Sequence, residues 1–229
     1  MTMRVTTAQS FERPTLMMAS LNKQADTLQT QIATGKKIHA PSDSATGWQQ
    51  LANLKRAETD DGAYDANIKM AQSLLADTEG ALDAVQVQLQ RAKTLAVQAG
   101  SQTLTPTDRA AIRAQVEGIV TDLLGIANST DARGQPLFGG TGGDAAYARQ
   151  PDGSILYVGV GEAPAISVGD GLSITPTETG ARAFGAIPGA EGVTDMFAIL
   201  TAFSAALAPG AEAGGVDTAL TDLDAAMNQ

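Results

Sequence analysis

Apolar residues recur at alternating steps of four and three along one long segment of the chain. The positions are Tyr64, Ile68, Ala71, Leu75, Thr78, Leu82, Val85, Leu89, Ala92 and Ala96. Nine of the ten are apolar, whereas a chain that is 43% hydrophobic would give about four by chance. A seven-residue repeat places an apolar stripe along one side of a helix, and such a stripe is buried only against other helices. The pattern therefore predicts a helical bundle or coiled coil.

The same spacing is found in two other segments, one on each side of the first. Residues 10–38 carry a four-three-four repeat, and residues 105–126 carry five apolar positions in one heptad pattern. The repeats comprise Leu21, Ala25, Leu28 and Ile32 in the first segment, and Ile112, Val116, Ile119, Leu123 and Ile126 in the second. Three helices with matching stripes are sufficient for an antiparallel bundle.

Prolines, glycines and capping residues mark where these helices begin and end. Proline is tolerated in a first helical turn, so Pro14 predicts that the first ordered helix begins near Arg13, with a loose chain before it. Gly35, followed by two lysines, is typical of a helix end. Residues 41–44 then predict a turn that supplies N-cap candidates for a second helix, which is expected to run from about Ser44 to Ala99.

Two further boundary signals concern the long helix and its return. Gly62 and Gly80 each destabilise a helix by up to about 1 kcal/mol relative to alanine, so we expect a bend or a close helix contact, most of all near Gly62. Thr105, Pro106 and Asp108 combine a cap, a proline at the first helical position and an acid at the positive end of a helix. They predict a third helix that returns antiparallel.

The pattern changes after Asn128, where six glycine and proline residues occur within residues 134–143. Short apolar runs between turns then predict a β-rich unit from residue 146 to about residue 187. Its strands are expected at residues 155–160, 165–168 and 172–175, the last two forming a hairpin around residues 169–171. Residues 195–207 return to a helical pattern and are expected to pack on the β unit.

These patterns predict a mainly α fold with an inserted β-rich domain, in which an elongated antiparallel helical bundle or coiled-coil rod carries a small β domain. We expect an arm and first helix at residues 1–40 (partly disordered before assembly), a rod at 41–143, the insert with its closing helix at 144–207, and a further rod helix at 208–229. That last helix repeats Val216, Leu220, Leu223 and Met227 and stops at Gln229 within its pattern, so we expect that it is truncated.

Composition restricts the classes of partner and of chemistry. The net charge of −10, from 15 basic and 25 acidic residues, argues against a nucleic-acid partner. The chain has no cysteine, which excludes disulfides and thiolate sites. Residues 1–9 do not resemble a secretory signal, and no run approaches the roughly 20 apolar residues of a membrane span. Composition leaves open a cytoplasmic protein and one that is exported without a cleaved signal.

The sequence gives little indication of catalytic or metal-binding residues. His39 is the single histidine and lacks partners for a metal site. Glu58, Asp60 and Asp61 are typical of a solvated helix face rather than of an acid–base pair. The glycines of residues 139–143 are not followed by the Lys-Ser/Thr of a phosphate-binding loop. We therefore expect no enzyme, no cofactor and no metal.

The candidate functional residues are instead those of the apolar stripes, through which helices and neighbouring subunits would pack. Trp48 joins them, since it either anchors a subunit contact or packs against the first helix. The candidate assembly residues are Leu21, Ala25, Leu28, Ile32, Trp48, Tyr64, Ile68, Leu75, Leu82, Val85, Leu89, Ile112, Val116, Ile119, Leu123 and Ile126.

Several segments resemble the flagellin superfamily. The run ATGKKI at residues 33–38, followed by PSD at 41–43, is similar to the N-terminal signature of flagellar axial proteins. LQRAKTLAVQAG at residues 89–100 and the segment 105–119 are similar to the long and returning helices of the family. The run from Asn128 to Thr141 is closer to the family's hook–filament junction members than to its filament flagellins. Ser44, Ala45 and Pro136 depart from the usual pattern, and the resemblance is weak over residues 144–207.

The resemblance implies a structural subunit of the bacterial flagellum at the junction between hook and filament. It implies export through the flagellar type III secretion route to the outside of the cell. The implied partners are neighbouring copies of the chain, hook-associated protein 1 and flagellin after assembly, and the export apparatus with an export chaperone before it. A monomer is expected for a chain that ends at Gln229.

Two alternatives stay open. Filament flagellin shares the family and its helical pattern. A surface binding module would use the β-rich unit to capture a ligand, although Tyr147, Tyr157 and Phe184 are its only aromatic residues, and sugar sites depend on aromatic surfaces.

Overall fold

The structure, a computed structural model, describes residues 7–101, 103–142, 145–190, 192–211 and 214–228, with the backbone alone at residues 7–11. The chain divides into two compact units, Met1–Gly62 and Ala63–Gln229. The regular elements of the described residues are mainly long helices, with short antiparallel strand pairs, so the predicted mainly α fold with a β-rich insert is confirmed. None of the helices in these ranges combines the length and the apolar content that a membrane crossing requires.

The first unit contains helix α1, Thr7–Thr34. The expectation that helix begins near Arg13 is wrong, because Pro14 lies inside α1 rather than in its first turn. A proline inside a helix removes one backbone hydrogen bond, because it has no amide hydrogen. Pro14 is exposed, so water can bind the carbonyl that loses its partner. The helix ends at Thr34, and the next residue, Gly35, has a φ of +64°, the left-handed conformation that favours glycine, so the predicted helix end is confirmed.

The turn between the first two helices is held by side chains that accept backbone hydrogen bonds. One carboxylate oxygen of Asp43 accepts from the amides of His39 and Ala40, each at 2.9 Å. The Ser44 hydroxyl accepts from the Gly47 amide at 3.1 Å, as the capping prediction requires. Helix α2 follows as Ala45–Ala99, and its length of 55 residues confirms the predicted long helix.

Helix α2 is continuous through both of its central glycines. No neighbouring atom lies within 4 Å of the place that a Cβ would occupy at Gly62 or at Gly80. The expected close helix contact at a glycine is therefore wrong, since a side chain would fit at either position. Gly62 is instead the last residue of the first compact unit.

Helix α3, Pro106–Ala127, begins with the predicted capping residues. The Thr105 hydroxyl accepts from the Asp108 amide at 3.2 Å, and an Asp108 carboxylate oxygen accepts from the Thr105 amide at 3.0 Å. This reciprocal pair is a capping box. The apolar side of α3 contributes Ile112, Val116, Ile119 and Leu123 to the core of the second unit.

Three separate two-stranded antiparallel pairs form the β-rich part. They are β1 Tyr147–Arg149 with β2 Ile155–Tyr157, β3 Ile166–Gly169 with β4 Leu172–Ile174, and β5 Ile187–Gly189 with β6 Gly192–Thr194. The β3–β4 pair is the predicted hairpin, whereas β1, β5 and β6 were not predicted. A short helix, α4 Gly180–Ala183, lies between the second and third pairs.

Strand β2 is shorter than the predicted strand at residues 155–160. The amides of Val158 and Gly159 both donate to the carbonyl of Ala146, at 2.8 and 3.2 Å, which interrupts the regular ladder. The Val160 amide then donates to the carbonyl of Gly139 at 3.1 Å. Beyond β2, the chain therefore no longer pairs with β1, and Val160 pairs instead with the glycine-rich run that begins at Gly139.

The insert joins the helices through aromatic side chains. The rings of Phe138 and Phe184 have centroids 4.8 Å apart, and the ring of Tyr147 lies 4.8 Å from that of Phe197. Phe197 belongs to helix α5, Met196–Ala206, which is capped by Asp195. Helix α6, Gly215–Met227, completes the second unit and contributes Ala219 and Leu223 to the core. One apolar core therefore includes residues of α2, α3, α5 and α6 together with residues of the β-rich part.

Candidate assembly surface

The candidate assembly residues divide into a buried group and an exposed group. The buried group forms part of the core of the second unit and comprises Val85, Leu89, Ile112, Val116, Ile119 and Leu123. The exposed group comprises Leu21, Ala25, Leu28, Ile32, Ile68, Leu75 and Leu82. Trp48, Tyr64 and Ile126 are half-buried. The first group stabilises the fold, and the second is accessible for contacts with other molecules.

The predicted α2 stripe coincides only in part with the buried side of the helix. Six of its ten residues are buried, namely Ala71, Thr78, Val85, Leu89, Ala92 and Ala96. The buried residues of α2 are Ala71, Leu74, Thr78, Val85, Leu89, Ala92, Leu95, Ala96 and Ala99. Leu74 is 8% exposed, whereas its neighbour Leu75 is 42% exposed. Successive helical residues differ by about 100° in direction, so the core-facing side of α2 extends past the predicted stripe to Leu74, Leu95 and Ala99 and leaves the opposite edge of the stripe exposed. The expectation that Ile68, Leu75 and Leu82 are buried against other helices is therefore wrong for the residues described.

The stripe on α1 is exposed along its described length. Leu28 is 57% exposed and Ile32 is 82% exposed, and Leu21 and Ala25 are also exposed. Isolated apolar residues on a surface are ordinary, but a row at helical spacing forms a contiguous patch that is typical of an interaction site. The polar residues Gln24 and Gln29 lie off this row and are also exposed.

Three exposed apolar residues of α1 were not among the candidates. Leu16, Met17 and Met18 precede the predicted repeat and lengthen the apolar surface towards the N-terminus. Met18 lies three residues before Leu21 and continues the four-three spacing. This spacing is the feature of the sequence that could have identified Met18 as part of the stripe.

The buried polar residues Asp131 and Tyr147 of the second unit have structural partners. The carboxylate of Asp131 accepts hydrogen bonds from the amides of Arg133 and Gln135, at 2.8 and 2.9 Å, and pairs with the Arg133 guanidinium at 2.8 Å. Burial acts to raise the pKa of Asp131, but these hydrogen bonds outweigh it and hold the pKa below its ordinary value. Burial raises the pKa of Tyr147, whose hydroxyl donates to the carbonyl of Gly180 at 2.8 Å.

Two polar contacts attach outlying elements of the second unit to α2. The Asn67 side-chain amide donates to the carbonyl of Ser167 in β3 at 2.8 Å. The Lys93 ammonium lies 2.5 Å from a carboxylate oxygen of Asp224 in α6. Both contacts fix the positions of elements, and neither contains a nucleophile with an adjacent base.

The described residues give little support for a ligand site. They include no group of three or more His, Cys, Asp or Glu side chains that could hold a metal ion. An open cleft of about 700 Å³ lies between the start of α3 and the α5–α6 connection, and its charged lining mixes Arg109 and Arg113 with Asp217. Tyr147 and Phe184 of the insert are buried in the core rather than presented on its surface.

Comparison with known proteins identifies the relatives of this chain. The family model described as the bacterial flagellin N-terminal helical region matches residues 12–142. The chain is 28% identical to flagellar hook-associated protein 3 of Salmonella typhimurium over 225 residues, which cover 94% of this chain and 70% of that protein. It is also 28% identical to flagellin of Clostridium tyrobutyricum, over 65% of this chain and 42% of that protein. The crystal structure of Xanthomonas campestris FlgL has the same fold, with a TM-score of 0.63, 19% identity and coverage of 75% of this chain and 85% of that one.

Proposed function

Because this chain belongs to the bacterial flagellin family, whose N-terminal helical region its residues 12–142 match, we propose that it is a structural, non-enzymatic subunit of the bacterial flagellum at the junction between hook and filament. The similarity to a hook-associated protein 3 over 94% of the chain is the observation that carries this proposal. The similarity to a flagellin covers 65% of the chain. A match over 94% of the chain extends across most of the β-rich insert, where junction and filament proteins would differ most.

The proposed mechanism is the packing of exposed helical stripes. The stripe of Leu21, Ala25, Leu28 and Ile32 on α1 is exposed in the single chain and has the spacing of a coiled-coil contact. Contact with neighbouring subunits removes this apolar surface from water, which favours assembly, while the ordering of side chains and the lost freedom of the subunits oppose it. The expected partners are copies of the chain, hook-associated protein 1 and flagellin.

The core of the second unit supports the role of a rigid spacer. Leu123 of α3 and Phe197 of α5 are fully buried, and the ring of Phe197 contacts that of Tyr147 in β1. These contacts hold the β-rich insert in a defined position on the helices. A subunit between two different tubular structures requires such a defined shape, because it has to present its contact surfaces to the neighbours on each side at fixed positions.

Export precedes assembly in this proposal. The subunit leaves the cell by the flagellar type III secretion route and interacts with the export apparatus and an export chaperone on the way. Absence of cysteine accords with a chain that has to remain extended and free of cross-links during passage.

Deletion of the gene tests the proposal. Electron microscopy of the deletion strain is expected to show hooks without filaments, and flagellin monomers are expected in the medium. Expression of the gene from a plasmid should restore the filaments. Normal filaments on the deletion strain would contradict the junction function.

Filament flagellin is the second candidate, since a flagellin is also 28% identical to part of the chain. The same experiment separates the two functions. A flagellin deletion leaves the junction intact and removes one type of subunit from filaments, and antibodies against this chain would then label the length of the filament rather than its base.

A further inference from the structure

We propose that Met17 and Met18 form an oxidation site, at which a two-electron oxidant such as hydrogen peroxide makes the apolar surface of α1 polar and weakens its packing against other helices. The inference rests on the proposed function, because an exported subunit meets such oxidants outside the cell and because the α1 stripe is its contact surface. Its chemical part, the selective oxidation of these two residues, can be tested apart from that function.

Accessibility distinguishes these methionines from the others in the described residues. Met17 is 70% exposed and Met18 is 62% exposed, whereas Met196 is 2% exposed in the core. Met70 and Met227 are half-buried, and the Met70 sulfur accepts a hydrogen bond from the Arg133 guanidinium at 3.3 Å. Peroxide reaches a thioether through solvent, so susceptibility follows exposure.

The positions of the two methionines couple their oxidation to helix packing. They precede Leu21 by four and three residues, and side chains at these separations are neighbours on a helix surface. Leu16 is also exposed, so the methionines lie within a continuous apolar end of the α1 surface. A methionine side chain is flexible and polarisable, and it fills irregular gaps in helix contacts.

The reaction needs no group of the protein other than the thioether. The sulfur lone pair attacks one oxygen of hydrogen peroxide, a sulfur–oxygen bond forms and the oxygen–oxygen bond breaks. The departing hydroxide takes up the proton of the transferred oxygen, so one sulfoxide and one water are produced and the sulfur is oxidised by two electrons. The sulfoxide is polar, and methionine sulfoxide reductases convert it back to the thioether.

Oxidation of the purified chain provides the first test. Timed exposure to hydrogen peroxide, followed by peptide mass spectrometry, should show sulfoxide at Met17 and Met18 at least about tenfold faster than at Met196. Methionine sulfoxide reductase should reverse both modifications. Equal rates at Met196, or no sulfoxide at residues 17 and 18, would overturn the proposal whatever the function of the protein.

A cellular test addresses the consequence for assembly. A deletion strain is induced to express wild type, M17L/M18L or the control M196L in the presence of sublethal peroxide, and filaments per cell are counted. We expect a severalfold loss of filaments with wild type and with M196L, and no loss with M17L/M18L. Equal loss in all three strains, or loss in none, contradicts the proposal. The pair M17I/M18I takes the place of the leucine pair if that pair builds no filaments without peroxide. Failure of the proposed function itself appears separately, as filaments on the deletion strain.

Discussion

Leu74 and Leu75 are adjacent in α2, yet one side chain lies in the core and the other faces solvent, with exposed fractions of 8% and 42%. Their difference fixes the rotation of α2 about its axis. The side through Ala71, Leu74 and Thr78 is buried, and the side through Ile68, Leu75 and Leu82 is accessible.

This rotation predicts losses of stability of different size for two alanine substitutions. Leu74→Ala removes buried side-chain volume and should lower the free energy of unfolding by about 2–3 kcal/mol. Leu75→Ala removes a partly exposed side chain and should lower it by about 1 kcal/mol or less. Urea unfolding of the purified chain, followed by circular dichroism, measures both, and a larger loss for Leu75→Ala would show that the assigned rotation is incorrect.

The capping box of α3 gives a second prediction. Thr105→Ala removes the hydroxyl that accepts from the Asp108 amide and should lower stability by about 1 kcal/mol. Thr105→Ser keeps the hydroxyl and serves as the control, with an unfolding midpoint close to that of wild type. Similar midpoints for the alanine and serine variants would mean that the cap does not stabilise the helix.

The buried carboxylate of Asp131 predicts a dependence of stability on pH. Its pKa in the folded chain is lowered, so its contribution is complete above the ordinary pKa of about 3.9 and is lost as pH falls through the folded value. Asp131→Asn should lower stability by about 2 kcal/mol at pH 7, where the ionised wild-type side chain makes its charge-assisted hydrogen bonds.

The difference between wild type and Asp131→Asn should shrink as the pH is lowered below about 4, because the wild-type carboxylate becomes protonated. Asp83→Asn, at an exposed position of α2, is the matched control and should change little at any pH. Unfolding experiments at pH 7, 5 and 3 measure the trend, and a constant difference across them would refute the role given to the Asp131 charge.

The contact between Asn67 and Ser167 predicts a local effect. An isolated two-stranded hairpin is marginally stable in water, so β3 and β4 depend on their attachment to α2. Asn67→Ala removes the 2.8 Å hydrogen bond and should increase amide exchange in residues 166–174 while leaving α3 protected. Unchanged exchange in the hairpin would mean that other contacts hold it.

The sequence determines the helices well because their signals are local. The cap at Thr105, the left-handed residue at Gly35 and the apolar spacing of α3 each act within a few residues, and the structure has all three. The β3–β4 hairpin was predictable for the same reason, since its turn residues lie between its strands.

Orientation and long-range pairing were less predictable, because they depend on distant residues. Both Leu74 and Leu75 are apolar, so hydrophobicity alone could not decide which of them faces the core. Strand β1 depends on partners in β2 and on Asn128, whose side chain bonds both backbone groups of Tyr147 at 2.8 and 2.9 Å. The apolar surface of α1 was underestimated near Met17, because the predicted repeat began only at Leu21.

Charge placed on the α1 stripe tests the central claim most directly. Leu28→Glu/Ile32→Glu alters the exposed row, and Gln24→Glu/Gln29→Glu adds the same charge off the row as a matched control. Both variants should be exported and should unfold at the wild-type denaturant concentration, since all four side chains are exposed in the single chain. In electron micrographs of a complemented deletion strain, we expect hooks without filaments for the first variant and wild-type filaments for the control. Filaments of normal number and length on cells that carry Leu28→Glu/Ile32→Glu would contradict assembly through this surface.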